Sequence, residues 1–304
     1  MNEPHALQCS EVWGGNDEVD RGVVMQGLDA WVLSRPHAGD ALGGDIHYLS
    51  SCATGRITRL LIADVAGHGR SVAEIAIRLR GLMRRHVNHS DQTRLAEYIN
   101  REFSLDTQPG RFATAIIATY WAPTGDLDLT NAGHPPPLLF RASTRSWEVL
   151  RPAASAQGDI PLGVLDETTY TRMRVKLEPG DAVLLYTDAL FEAKRADGAL
   201  LGIDGLRILV SSVASNPGEL SARAILRAVR DYTGGHGPDD DATILLIRPN
   251  SLLPARGSLT TGLIATWQVL RNLARSLPRG EFPLPDFRLR NLLGVWLDRF
   301  NRST

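Results

Sequence analysis

Four aspartates stand where short apolar runs begin or end. Asp45 follows Gly43-Gly44, and Asp64 follows the β-branched, apolar run Arg56–Ala63. Asp188 comes just after Ala182–Tyr186, and Asp240 sits in Asp239-Asp240-Asp241, directly ahead of Thr243–Ile247. A carboxylate at the end of a buried strand is half desolvated, and several gathered there raise one another's pKa. Divalent cations remove that cost, and an all-oxygen donor set suits Mg²⁺ or Mn²⁺ better than zinc. Each acid alone has a plainer reading. Asp45 after two glycines reads as a turn residue, Asp64 as the cap of a following helix, and a triple aspartate in a Gly/Pro loop as a solvated patch. Gly67-His68-Gly69 reads as a turn, and the chemistry rests on all four aspartates being brought together.

The elements that must do so are legible. Arg56–Ala63, Phe112–Tyr120, Leu138–Phe140, Ala182–Tyr186 and Thr243–Ile247 read as buried strands. Pro123–Asp126 reads as a turn that returns the chain along Leu127–Thr130. Ser71 with Glu74 makes a capping box ahead of Ile75, Leu79, Leu82 and Met83 at helical spacing. Leu95–Phe103 and Glu219–Tyr232 are further helices. Two helices followed by a run of strands favour an α+β layered sandwich over an alternating parallel sheet. Residues 1–27, polar and Gly-containing, read as an N-terminal extension, 28–249 as the catalytic domain and 250–304 as a basic appendage. In that appendage Leu263, Trp267, Leu270 and Leu277 trace one helical face, and Leu289, Leu293, Trp296 and Phe300 trace a second after Asp286.

Composition sets the bounds. The 304 residues are 43% hydrophobic and 22% charged, ordinary globular usage with a packed core. A net charge of -1 implies no nucleic-acid partner. Residues 250–304 hold eight Arg, no Lys and three acids, so the tail is basic and the body acidic. That contrast favours packing of the tail on the body or on a second copy of it, as a homo-oligomer; the interrupting prolines disfavour membrane contact. Cys9 and Cys52 form no disulfide framework. No apolar stretch approaches the roughly 20 residues that cross a bilayer, and no basic-then-apolar leader opens the sequence, so the expected location is the cytoplasm.

Taken in order, Gly43-Gly-Asp45, Asp64-Val-Ala-Gly-His-Gly69, Phe112-Ala-Thr114, Asn131-Ala-Gly-His-Pro-Pro136, Pro161-Leu-Gly163, Leu177-Glu-Pro-Gly-Asp181, Thr187-Asp188 and Asp240-Asp-Ala-Thr243 resemble the PPM (protein phosphatase 2C-like) family in its SpoIIE branch. The resemblance covers roughly residues 30–249. It implies a four-layer α-β-β-α sandwich of two mainly antiparallel sheets flanked by helices. It also implies metal-dependent hydrolysis of phosphoserine or phosphothreonine on a regulatory protein resembling an anti-sigma-factor antagonist. Asp45, Asp64, the backbone carbonyl of Val65, Asp188 and Asp240 would hold two cations, Mn²⁺ or Mg²⁺, with Asp64 bridging them and a metal-activated water attacking phosphorus. His68 is then a candidate to protonate the leaving oxygen, His134 to fix a loop beside the site, and Glu192 to stand as an outer acid. Two positions depart from the family's pattern: Ala189 replaces the usual Gly after the Thr-Asp aspartate, and Tyr48 replaces an acid three residues after Asp45. They keep open a second reading, a low-activity phosphatase fold that holds a regulatory protein. A cyclic-dinucleotide synthase, suggested by Gly-Gly-Asp, is excluded because no Glu-Phe follows Asp45.

Overall fold

The computed structural model describes residues 4–7, 12–37, 41–51, 55–67, 70–86, 89, 91–106, 110–152, 160–213 and 220–252. The strands in chain order are β1 (His5–Ala6), β2 (Val12–Gly15), β3 (Val19–Met25), β4 (Leu28–Arg35), β5 (Asp45–Ser51) and β6 (Ile57–Val65). After helices α1 (Arg70–Arg85) and α2 (Gln92–Asp106) come β7 (Ala113–Trp121), β8 (Asp126–Ala132), β9 (Leu138–Arg141) and β10 (Ser146–Val149). Then follow β11 (Arg172–Lys176), β12 (Ala182–Tyr186), α3 (Gly202–Val213), α4 (Ala222–Tyr232) and β13 (Ala242–Pro249).

The strands form two sheets, a seven-stranded one ordered β1-β3-β4-β13-β12-β9-β10 and a six-stranded one ordered β11-β8-β7-β6-β5-β2. Every pairing between named strands is antiparallel except the short β1–β3 contact. Because strand side chains alternate faces, each sheet buries two apolar sets. Val32, Val183, Leu185, Leu245 and Ile247 of the first sheet meet Leu49, Leu60, Ile62, Ile116 and Leu129 of the second in the central core. The opposite face of the second sheet (Leu61, Ala63, Ile117) packs on Leu79, Met83, Leu95 and Ile99 of α1 and α2. The opposite face of the first (Leu184, Ile244, Leu246) packs on Leu206, Val210, Ile225 and Val229 of α3 and α4. The architecture is therefore the expected α-β-β-α sandwich. No helix among the described residues is long and apolar enough to cross a membrane.

Three details differ from the sequence reading. The segment read as an extension supplies β2 and β3, so the boundary expected after residue 27 falls inside the β3–β4 hairpin. Its polar composition hides Val23 and Met25, which enter the central core. Helix α1 begins at Arg70, one residue ahead of the expected cap. Helix α3 was not anticipated, while α4 starts at Ala222 with Ser221 as its cap, accepting a hydrogen bond from the Ala224 amide. The turn before β8 is made as expected, with Gly125 at φ +71 donating to the Trp121 carbonyl at 2.8 Å. The helices expected in the tail lie outside the described residues.

Candidate active site

At one end of the sandwich both sheets switch from apolar to polar on their facing surfaces. In β6, Leu60 and Ile62 enter the central core and Asp64 is the next residue on that face. Asp64 stands opposite Asp45 of β5 on one side and Thr114 of β7 on the other. In the facing sheet, the same alternation takes β13 from Leu245 to Thr243, β4 from Val32 to Ser34, and β12 from Leu185 to Thr187. Period-two geometry thus gathers two carboxylates and four hydroxyls at one mouth.

These groups are wired together. The Ser34 and Thr243 hydroxyls lie 2.9 Å apart, the Thr243 amide donates to Thr187 Oγ1 at 2.9 Å, and Thr187 Oγ1 donates to Asp45 Oδ2 at 2.8 Å. The hydrogen bonds cross from one sheet to the other and hold Asp45, which is only 3% exposed, in a fixed pose. Asp188 follows Thr187 as the first residue of a 3-10 turn, Asp188–Leu190. Asp240 lies exposed two residues before β13 and accepts the Asp241 amide at 2.8 Å. The Val65 carbonyl is beside the glycine pair, since a Cβ on Gly44 would sit 3.2 Å from its oxygen.

The electrostatics are those of crowded like charges. Burial, then repulsion from Asp188, Asp240, Asp241 and Glu192, pushes Asp64 up to about 7. Burial and the Asp64 charge raise Asp45 well above the carboxylate range, against the hydrogen bonds from Thr187 and Thr243. Asp188 is raised by burial, Glu192 and Asp240. The four aspartates named from sequence therefore share one electrostatic neighbourhood, with Glu192 at its exposed edge. Among the described residues no three acidic, imidazole or thiol groups already close on one point at ligating distance, so the acids face one another at Coulombic range. The donors fit hard divalent cations: they are all oxygen, and their mutual repulsion is the cost that such ions offset.

Asp241 has a role the sequence reading missed. Its carboxylate accepts the Gly44 amide and the His37 amide, each at 2.6 Å, and so anchors the glycine loop that carries Asp45. A Cβ on Gly43 would come within 2.6 Å of that carboxylate, which is why the loop needs glycine there. Nothing local marks Asp241, because its partners lie about 200 residues away in sequence. Thr187 and Thr114 were visible only as motif letters, although the switch from apolar to polar at one strand end is a signal for both. His134 Nδ1 pairs with Thr114 Oγ1 at 2.8 Å, while Asn131 brackets its backbone from both sides. Burial lowers its pKa to about 3, so the ring stays neutral and positions Thr114 beside Asp64. His68 lies outside the described residues.

The two departures from the family pattern are accommodated. Ala189 packs in the core under α3 and α4, and among the described non-glycine residues only Arg145 has positive φ. Tyr48 points to the α1 side of β5, into the core with Leu79 and Met83, away from the carboxylates.

The model of the Stage II sporulation protein E (SpoIIE) family matches residues 54–250. The chain belongs to the SpoIIE family. Among SpoIIE relatives, the phosphoserine phosphatase RsbP of Bacillus subtilis is 25% identical over 138 residues, 44% of this chain and 33% of that protein. The chain thus spans about a third of that curated relative. The structure of the RsbU and RsbW domains of Rv1364c from Mycobacterium tuberculosis superposes with a TM-score of 0.62 at 25% identity, covering 86% of this chain and 72% of that one. The PP2C phosphatase domain of SpoIIE from Bacillus subtilis, with a fragment of its regulatory domain, matches at TM-score 0.59 and 15% identity. That match covers 80% of this chain and 64% of the other, a likeness of fold.

Proposed function

We propose that this SpoIIE-family chain is a metal-dependent protein serine/threonine phosphatase acting in the cytoplasm on a phosphorylated regulatory protein of the anti-sigma-factor-antagonist kind. The observation that carries the reading is the meeting of Asp45, Asp64, Asp188 and Asp240 at one mouth of the sandwich, where burial and the neighbouring acids raise the pKa of Asp45, Asp64 and Asp188. Asp45, Asp64, Asp188, Asp240 and the Val65 carbonyl would hold two Mn²⁺ or Mg²⁺ ions, with Asp64 shared. Such ions supply the charge that acidifies a water and offsets the phosphoryl oxygens. The chain's own part is positional. Thr187 orients Asp45, Asp241 holds the glycine loop, and the His134–Thr114 pair sets the polar row next to Asp64.

The test is hydrolysis of p-nitrophenyl phosphate and of a phosphoserine peptide with Mn²⁺, with Mg²⁺ and with excess EDTA. Turnover should require the cation, and undiminished turnover in EDTA overturns the reading. Asp64→Asn should abolish activity with the fold retained, while Asp239→Asn, outside the wired cluster, should leave it within about twofold. The second reading, a low-activity module that holds a regulatory protein, drew on Ala189 and Tyr48. Ordinary backbone at Ala189 and the burial of Tyr48 away from the acids favour the enzyme.

A further inference from the structure

Arg111 stands apart from the other cations among the described residues. It precedes β7 and is half buried. The two residues after it are fixed: the Ala66 amide donates to the Phe112 carbonyl at 3.0 Å, and Ala113 pairs with Leu162. A Cβ on Gly163 would come within 2.8 Å of the Arg111 carbonyl oxygen, and one on Gly67 within 3.2 Å of its Nη1. The guanidinium therefore lies against Gly67, three residues beyond Asp64. Among the described residues it has no hydrogen bond, ion pair or ring contact. The charges that chiefly act on Asp64 and Asp188 are all acids, so Arg111 is not spent on neutralising them.

A partly desolvated guanidinium without an anion is costly to keep, and its planar donors match a pair of anionic oxygens. Beside it Phe112, Val164 and Leu165 are 38%, 50% and 55% exposed. The loop carrying the last two is tied down: the Gly163 amide donates to Asn100 Oδ1 at 2.9 Å, and Asn100 Nδ2 donates to the Leu165 carbonyl at 2.8 Å. An ordered apolar rim around one unpaired cation has the make-up of a protein-contact surface.

We propose that Arg111 is the specificity-determining residue of this site, gripping an anionic oxygen pair of the phosphoprotein substrate while the apolar rim covers the chain around it. This rests on the phosphatase reading above. The oxygens belong either to the phosphoryl group itself or to an acidic side chain beside the phosphoserine.

The full chain, Arg111→Ala and Arg111→Lys are compared with Mn²⁺ on p-nitrophenyl phosphate and on two phosphoserine peptides, one with acidic flanks and one with alanine flanks. Peptide binding is followed separately by fluorescence polarisation. Arg111→Ala should raise KM and weaken peptide binding by about tenfold or more, the loss expected for one charge-assisted pair. It should leave kcat within about threefold and the melting temperature unchanged, and lysine should restore part of the loss. An equal KM rise on all three substrates assigns the phosphoryl oxygens; a rise confined to the acidic peptide assigns the flanking carboxylate. If wild type binds the peptides through Arg111 but hydrolyses nothing, the phosphatase reading falls and, with it, Arg111 as a substrate-specificity residue. Unchanged KM and binding in Arg111→Ala, or no peptide binding by wild type, overturns the proposal.

Discussion

Thr187 serves two partners with one oxygen, accepting the Thr243 amide and donating to Asp45. Thr187→Val keeps the shape and removes both bonds, leaving a buried amide and a buried carboxylate each short of a partner. The expected cost is about 1–3 kcal/mol of stability, read as a lower urea midpoint at unchanged slope, with weaker Mn²⁺ binding in a metal titration. Asp64 gives a pH signature. Its folded pKa is raised to about 7 against an ordinary carboxylate value near 4, so between these values the folded state holds a proton that the unfolded state has lost. Stability contributed by that proton is complete at low pH and drains away as pH rises towards and past 7. Metal-free protein should therefore melt at a lower temperature at pH 7.5 than at pH 5.5, and saturating Mn²⁺ should remove the decline. Asp64→Asn should make the decline shallower without metal, leaving the part due to Asp45 and Asp188; a melting temperature that rises with pH in the metal-free protein contradicts this assignment.

At the scale of elements, the 3-10 turn Asp188–Leu190 carries the third aspartate out of β12, and its middle residue is the unusual Ala189. Since no positive φ is required there, Ala189→Gly gains no strain relief and gives the unfolded chain more freedom. We expect a loss of about 0.5–1 kcal/mol in chemical denaturation, with kcat within about twofold of the parent. A large gain in rate would instead mark the natural turn as a brake. Elements whose apolar residues keep one period were readable: α1 and α2 from their helical stripes, β6, β7, β12 and β13 from their apolar runs. Helix α3 was not, because Gly202 and Gly205 break its helical propensity and Ile208 remains exposed on it. Strand β3 was hidden by Asp20 and Arg21, adjacent charges on opposite faces, and by Gly22, which makes room for the Trp31 ring: a Cβ there would meet it at 2.8 Å. The site divides the same way. The four acids could be named from their motifs, but the work of Thr187 and Asp241 depends on which distant backbone and side-chain atoms the two sheets bring near.

Among the described residues the sandwich is closed by the chain around Asn250. Strand β13 runs between β4 and β12, and beyond it the Asn250 amide donates to the Gly27 carbonyl at 3.1 Å while its side chain reaches the Met25 carbonyl and Asp29. Truncation after Leu252 should thus leave metal-dependent hydrolysis of p-nitrophenyl phosphate within about twofold and the circular-dichroism spectrum of the sandwich intact. Collapse of either would place part of the fold's support in the basic tail. The rim of the six-stranded sheet carries a different implication. Its outermost strand, β11, bears Arg172, Arg174 and Lys176 at every second position, with Arg174 clasping Asp128 across the strand pair at 2.6 and 2.8 Å. Among the described residues no strand pairs with its outer edge; such an edge is where a crowded solution starts fibres, and a neighbour arriving along this one would bring its own three cations into register with these. That edge is thereby made its own deterrent.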